Sequence, residues 1–151
     1  MKSNPGHFFE DFVPGLPLHH ATPLTLHQSD NTLYRALTGS RFALYSSDEF
    51  AKAAGFHAAP IDPLLTFHTV FGKSVPDISL NAVANLGYGE GVFGVPVHAG
   101  DTLRAVSEVI GRKENSNGKT GIVYVRTRGI NQLEETVLSY VRWVMVRKRD
   151  P

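Results

Sequence analysis

Residues 60–73 read PIDPLLTFHTVFGK, and the reading of this stretch decides the fold. Leu64, Leu65, Phe67, Val70 and Phe71 fall on nearly every side of a helical wheel, so a helix here is a buried one. Asp62 suits the N-cap, and Pro63 suits the first helical position, where its missing N–H costs nothing. Gly72 predicts a stop, and Pro76 predicts that the helix does not resume. The expected central helix is Asp62–Gly72. Downstream there are strand-like runs and no second helix of this kind. One buried helix has to be wrapped by something, and a curved antiparallel sheet does this with the least chain. The expected class is α+β.

Working outward toward the C-terminus, Ile78–Ala84 and Gly91–Val97 read as extended pieces on either side of the glycine-rich run NLGYGEG. That run lacks GxGxxG spacing and no strong helix follows it, which argues against a phosphate-cradling loop. Three clear strands follow at Thr102–Gly111, Gly121–Ile130 and Thr136–Arg147. His98–Asp101 turns into the first, ENSNGK (114–119) joins the first to the second, and Asn131–Glu135 joins the second to the third. In the last strand Leu138, Tyr140, Val144 and Val146 share one face, and Val137, Val141, Trp143 and Met145 share the other. Both faces are substantially apolar. One can meet the helix; the other predicts a partner surface, either a second copy of the chain or a second domain.

Working outward toward the N-terminus, SSDEFAKAAGF (46–56) reads as a short helix capped by Ser46 or Ser47 and ended by Gly55. Ser40–Tyr45 is a loop. NTLYRALTG (31–39) is a helix capped by Ser29 or Asp30, with Leu33, Ala36 and Leu37 as its apolar face. His19–Leu26 reads as a short strand that Pro23 demotes to an edge. Lys2–Leu18, broken by Pro5, Gly6, Pro14, Gly15 and Pro17, is a loop whose Phe8, Phe9 and Phe12 cover one end of the core.

A chain of 151 residues, 42% hydrophobic and 19% charged, fits one soluble domain over residues 1–151. Its net charge of +1, without a long charge run, does not point to nucleic acid. Arg147, Lys148 and Arg149 read as a solvated tail. The absence of cysteine excludes disulfides, thiolate metal sites and a cysteine nucleophile, and fits a cytoplasmic protein. MKSNPGHFFEDF has no apolar signal-peptide core, and no run is long enough to span a membrane.

Seven histidines invite a metal hypothesis, but they show neither HExxH nor clustered acidic spacing, so no metal site is expected. His68, on the central helix, reads either as a core residue bonded to backbone or as a functional one. No serine lies in GxSxG context. Arg41, in the loop between two short helices, suits bidentate binding of a carboxylate or phosphate, or else a surface ion pair. Tyr45 packs its ring or donates a hydrogen bond. Asp62 and His68 are six residues apart, about 600° around the wheel, so they do not share a helical face.

Across almost its whole length the chain resembles the MaoC-like hydratase family. The resemblance rests on FFEDFVPG, LTLHQSDNTLYRALTG, the central helix, VPVHAGDTLRAVSEVIGRKE and GIVYVRTRGINQ, with PVHAGDTL the most specific run. More narrowly, FEDF, GSRFAL, FHTVFGKSVPDISLNAVANLGY and YVRWVMVRKRD are similar to the N-terminal half of the mesaconyl-CoA hydratase (β-methylmalyl-CoA dehydratase) family. The resemblance implies a hot-dog fold, a curved antiparallel sheet around one helix, and two such domains in one chain. It also implies a CoA-thioester substrate, the loss or addition of water at an enoyl group, and no cofactor.

The family's motif sets an aspartate after a glycine, then Asn-Pro, then a histidine. Matched position by position, Gly39 is kept, while Ser40, Phe42, Ala43 and Tyr45 stand at the aspartate, asparagine, proline and histidine positions. Neither serine nor tyrosine is a competent base near neutral pH without unusual activation. The family's oxyanion donor, a backbone N–H at the start of the central helix, falls at Asp62–Pro63, where proline has none and a carboxylate repels negative charge. The motif match and the residues' own chemistry together make Ser40, Tyr45, Asp62 and His68 the candidate site residues, with Arg41 binding substrate. Three functions stay open. The chain is a hydratase subunit whose acid/base pair lies in a partner domain, a self-sufficient enzyme using Asp62 and His68, or a non-catalytic acyl-CoA-binding module.

Overall fold

A computed structural model describes residues 4–149; the expectations touching Lys2, Ser3 and Asp150 lie outside the described residues. The central helix α3 starts where its caps predict, with Asp62 Oδ1 accepting the Leu64 N–H at 2.9 Å and Pro63 in the first turn. Its end corrects the expectation, because α3 spans Pro63–Ile78 and runs through both Gly72 and Pro76. Pro76 removes one hydrogen bond, but Ser74 and Ile78 beyond Gly72 are buried against the sheet, and that burial outweighs the local breakers.

Six strands form one antiparallel assembly around this helix: β1 (Pro17–His19), β2 (Leu24–Thr25), β3 (Ala82–Phe93), β4 (Thr102–Glu114), β5 (Thr120–Ile130) and β6 (Thr136–Arg147), ordered β1-β4-β5-β6-β3, with β2 also on β4. This is the hot-dog fold the resemblance implies. The expected single strand at 19–26 is split in two, since Thr22 takes a left-handed φ of 62° ahead of Pro23. The two pieces cover successive stretches of the β4 edge, Leu18 opposite Ser107 and Leu24 opposite Leu103. In place of the two pieces expected around the glycine run there is one strand, β3, which continues through it with breaks in register and a left-handed φ of 52° at Glu90. Gly87 explains why: a Cβ there would lie 2.4 Å from the Trp143 ring, so the glycine is what lets β6 lay its indole on the edge strand.

Glycines also set how closely the core approaches β5. A Cβ on Gly129 would sit 2.4 Å from Val70 of α3, and one on Gly121 would sit 2.2 Å from the Phe9 ring. Each contact anchors one of two separate apolar clusters. One gathers Phe9, Phe12, Leu18, Ile78, Val109 and Val144; the other gathers Leu26, Ile61, Val70, Leu103, Val137 and Leu138. Phe9 and Phe12 thus close one end of the core as expected. The C-terminal residues do not form a free tail. Arg149 pairs with Asp11 at 2.7 Å and lies over the Phe8 ring, and Lys148 pairs with Glu114 at 2.6 Å.

A buried polar seam accompanies the two clusters. Ser107, Thr127 and Tyr140 face one another across β4, β5 and β6. The Ser107 and Thr127 hydroxyls bond at 2.8 Å, and His20 joins Ser107 at 2.7 Å and the Asp77 carboxylate at 2.6 Å. Arg142, on the inward face of β6 with Tyr140 and Val144, donates to Ser74 Oγ at 3.0 Å. Strand alternation assigns that face to apolar residues; its fully buried arginine is the exception.

Candidate functional site

α1 (Gln28–Thr38), a 3₁₀ turn (Ala43–Tyr45) and α2 (Asp48–Ala53) build a polar site over the start of α3. α1 begins earlier than its predicted caps. His27 is the N-cap, and Asp30 instead serves as the acceptor for the His27 N–H at 2.7 Å. It ends as predicted, on Gly39 in the left-handed conformation, which turns the chain so that Ser40 faces α3. Ser47 caps α2 by accepting the Phe50 N–H at 3.2 Å.

Asp62 is the centre. It is buried, and its Oδ2 accepts the Ser40 hydroxyl at 2.5 Å while Oδ1 holds the Leu64 N–H. The Asp62 N–H donates to Asn31 Oδ1 at 2.9 Å, and Asn31 Nδ2 donates to the Tyr45 carbonyl at 3.2 Å. Fully buried Asn31 therefore ties the Tyr45 turn to the helix start. Burial first, and the Asp62 charge second, push the Tyr34 and Tyr45 phenols up from their ordinary value, which makes Tyr45 a still poorer base. Beside Tyr45, Phe56, Ile61, Val95, Val97 and Val137 enclose an apolar cavity of about 140 Å³.

Of the residues named from sequence, Ser40, Tyr45 and Asp62 come together. His68 does not join them, and it is exposed rather than buried; Tyr34 Oη meets its Nδ1 at 3.3 Å. Arg41 is exposed beside Ser40. Sequence reading missed Asn31 and Tyr34, although their i, i+3 spacing places both on the α1 face turned toward the site. The predicted apolar face of that helix is also corrected. Leu33 and Leu37 are 60% and 78% exposed, so nothing among the described residues covers them.

Chemically the site is closed on itself. Pro63 offers no N–H, Asp62 occupies the Leu64 donor, and Ser40 spends its proton on Asp62. Among the described residues no imidazole hydrogen-bonds to Ser40, Asn31, Tyr45 or Asp62, so the cluster holds no histidine-based acid/base pair for moving water. Among the described residues no group of histidines and carboxylates has the arrangement of a metal site. None of the helices there is long and apolar enough to cross a membrane.

The family model described as mesaconyl-CoA hydratase matches residues 2–151. The chain is 65% identical over 150 residues to the mesaconyl-CoA hydratase of Cereibacter sphaeroides, a match that covers 99% of this chain and 44% of that protein. It superposes with a TM-score of 0.97, at 61% identity, on a crystal structure described as a MaoC domain protein dehydratase from Chloroflexus aurantiacus, covering 100% of this chain and 43% of that one. A Mycobacterium tuberculosis protein with a double hotdog fold, Rv0216, superposes at 0.87 with 26% identity, covering 97% and 46%. The chain therefore spans less than half the length of each.

Proposed function

Because the chain belongs to the mesaconyl-CoA hydratase family, we propose that it is one hot-dog half of an acyl-CoA hydratase/dehydratase, a lyase that adds or removes water at an enoyl-CoA. It shapes the substrate site, and the acid/base pair stands in a second hot-dog domain. The observation that carries this reading is the closed Ser40–Asp62 pair, which fills the place where the family's acid/base residues and oxyanion donor belong. Ser40, Tyr45 and Asp62 act as a rigid wall of the substrate tunnel, His68 and Tyr34 stand at its rim, and Arg41 meets an anionic group of the substrate. The substrate we assign is mesaconyl-CoA or its hydrated form.

The second domain, or a second copy of the chain, covers the apolar groups left around the site. Leu33, Leu37, Phe42, Leu64 and Phe93 are all at least half exposed, and β3 is the free edge of the sheet. A cysteine-free chain suits the reducing cytoplasm, where we place the reaction.

The test is loss of enoyl-thioester absorbance, measured on this chain alone and with its second domain. The chain alone is expected to bind CoA thioesters and turn them over at least about a thousandfold more slowly than the pair. Full turnover by the chain alone, surviving Tyr45→Phe, overturns the proposal. Binding without turnover in either form supports the non-catalytic acyl-CoA module instead.

A further inference from the structure

Arg142 is the largest fully buried side chain among the described residues, and none of their carboxylates pairs with it. Its contacts are weak for a buried cation: Ser74 Oγ at 3.0 Å, Asn85 Oδ1 at 3.4 Å, the face of Phe71 at 4.8 Å and the neutral Tyr88 hydroxyl close by. Its Nε has no hydrogen-bond partner. Neither has the buried hydroxyl of Tyr140, two residues earlier on the same strand face, although Thr127 and Ser74 are close. Two orphaned donors, one of them charged, therefore lie side by side in the core. A buried guanidinium without a counter-ion is costly to desolvate, and an apolar side chain of the same size would serve packing better. The arrangement makes physical sense if an anion completes it.

A cavity borders that place. Tyr88, directly across from Arg142 on β3, and Tyr140 are both walls of a cavity of about 260 Å³. Phe67, Phe93 and Leu138 line the rest, and Gly89 and Gly91 contribute no side chain to fill it. Its size suits a short acyl group rather than a whole CoA. Arg142 does not line this cavity itself; it is fully buried next to Tyr140 and opposite Tyr88, where its charge acts in a low dielectric.

We propose that Arg142, with the Tyr140 hydroxyl, binds the free carboxylate of a dicarboxylic acyl-CoA and thereby selects it over monocarboxylic ones. This rests on the acyl-CoA reading above, and it moves recognition of that carboxylate from exposed Arg41 to the core. A solvated arginine gains little from pairing with a carboxylate, whereas a desolvated fork already short of acceptors gains much. Arg41 is left to the CoA portion.

The experiment titrates the intact protein, this chain with its second domain, with mesaconyl-CoA and with 2-methyl-2-butenoyl-CoA, which has the same carbon skeleton and a methyl in place of the carboxylate. Unmodified protein is expected to bind the dicarboxylic thioester at least about tenfold tighter. Arg142→Met brings that ratio close to one by weakening only the dicarboxylic ligand, and Arg142→Lys restores part of it. Tyr140→Phe reduces the ratio severalfold. Arg41→Ala weakens both ligands alike. A ratio that survives Arg142→Met, whether or not both ligands weaken together, or that collapses in Arg41→Ala instead, overturns this proposal and leaves the acyl-CoA reading standing. If Arg142→Met does not fold, the ratio in Arg142→Lys and Tyr140→Phe decides. No binding of either thioester overturns the acyl-CoA reading and this inference together.

Discussion

The start of α3 and its middle carry buried polar groups of opposite character. At the start, the Asp62 N–H and both of its carboxylate oxygens, Ser40 and Asn31 are all matched within the chain. In the middle, His20, Ser107 and Thr127 are matched, but Arg142 Nε and Tyr140 Oη are not. A polar cluster that satisfies itself is structural: removing a member costs stability and gives a ligand nothing. One that leaves donors empty is held at a cost that a ligand can offset. The place where the family motif points is thus the closed one, and the place no motif points to is the open one.

Stability measurements sharpen this contrast. The largest effect is expected from Asn31→Ala. It leaves the buried Asp62 N–H unmatched, releases the Tyr45 carbonyl and opens a small cavity, at a cost of about 3 kcal/mol in urea unfolding. A cost below about 1 kcal/mol would show that water replaces Asn31 and that the site is open after all.

Acid comes next, through His20. Burial lowers its pKa from the ordinary value more strongly than the Asp77 carboxylate raises it, and Arg142 and His19 lower it further. The folded state therefore resists protonating it. Its contribution is fully present above the unfolded histidine pKa of about 6.5 and is lost as pH falls through the lower folded value. Unfolding free energy should drop below pH 6.5 with a slope of up to about 1.4 kcal/mol per pH unit from this residue, and His20→Gln should flatten that part of the curve. An unchanged slope would place the titration elsewhere, His98 being the other histidine that burial lowers.

Ser40→Ala is expected to cost about 1 kcal/mol, since Asp62 keeps the Leu64 N–H and half-buried Ser40 is open to replacement by water. Smallest is Arg142→Met, expected within about 1 kcal/mol of the parent and on the stable side. Ser74 still donates to the Phe71 carbonyl at 2.7 Å, so the variant takes the last partner from no buried hydroxyl. A loss above about 3 kcal/mol would make Arg142 a structural member of the seam, and the two regions alike.

How much of this the sequence carries depends on how local each signal is. The start of α3 and the strands β4, β5 and β6 were legible, because Asp-Pro caps, period-two alternation and turn residues act within a few positions. The end of α3 was not: Gly72 and Pro76 are honest local breakers, overruled by the burial of Ser74 and Ile78 on strands that lie elsewhere in sequence. β3 was not either, since Gly87 looks like a turn until Trp143 lies on it. Ser40, Tyr45 and Asp62 were brought to one place by the motif alignment, whereas Asn31 between them carries no motif. Leu33 and Leu37 form a periodic apolar face that is exposed, because such a pattern marks a face without saying which molecule covers it; His68, which the sequence leaves open between a core and a functional role, is exposed too.

The order of the strands also has a consequence for how the chain comes together. β4, β5 and β6 follow one another through connections of five residues each, whereas β1 reaches β4 only after some eighty residues of intervening chain. Closing the short loops costs far less chain entropy, so the meander of residues 102–147 can zip first and offer the surface on which α3 condenses at Gly129. The N-terminal segment, clamped to Arg149, then arrives last. On this route the polar seam is sealed late. His20 reaches Ser107 only with β1, and until then the serine stays open to solvent on a sheet that is otherwise complete.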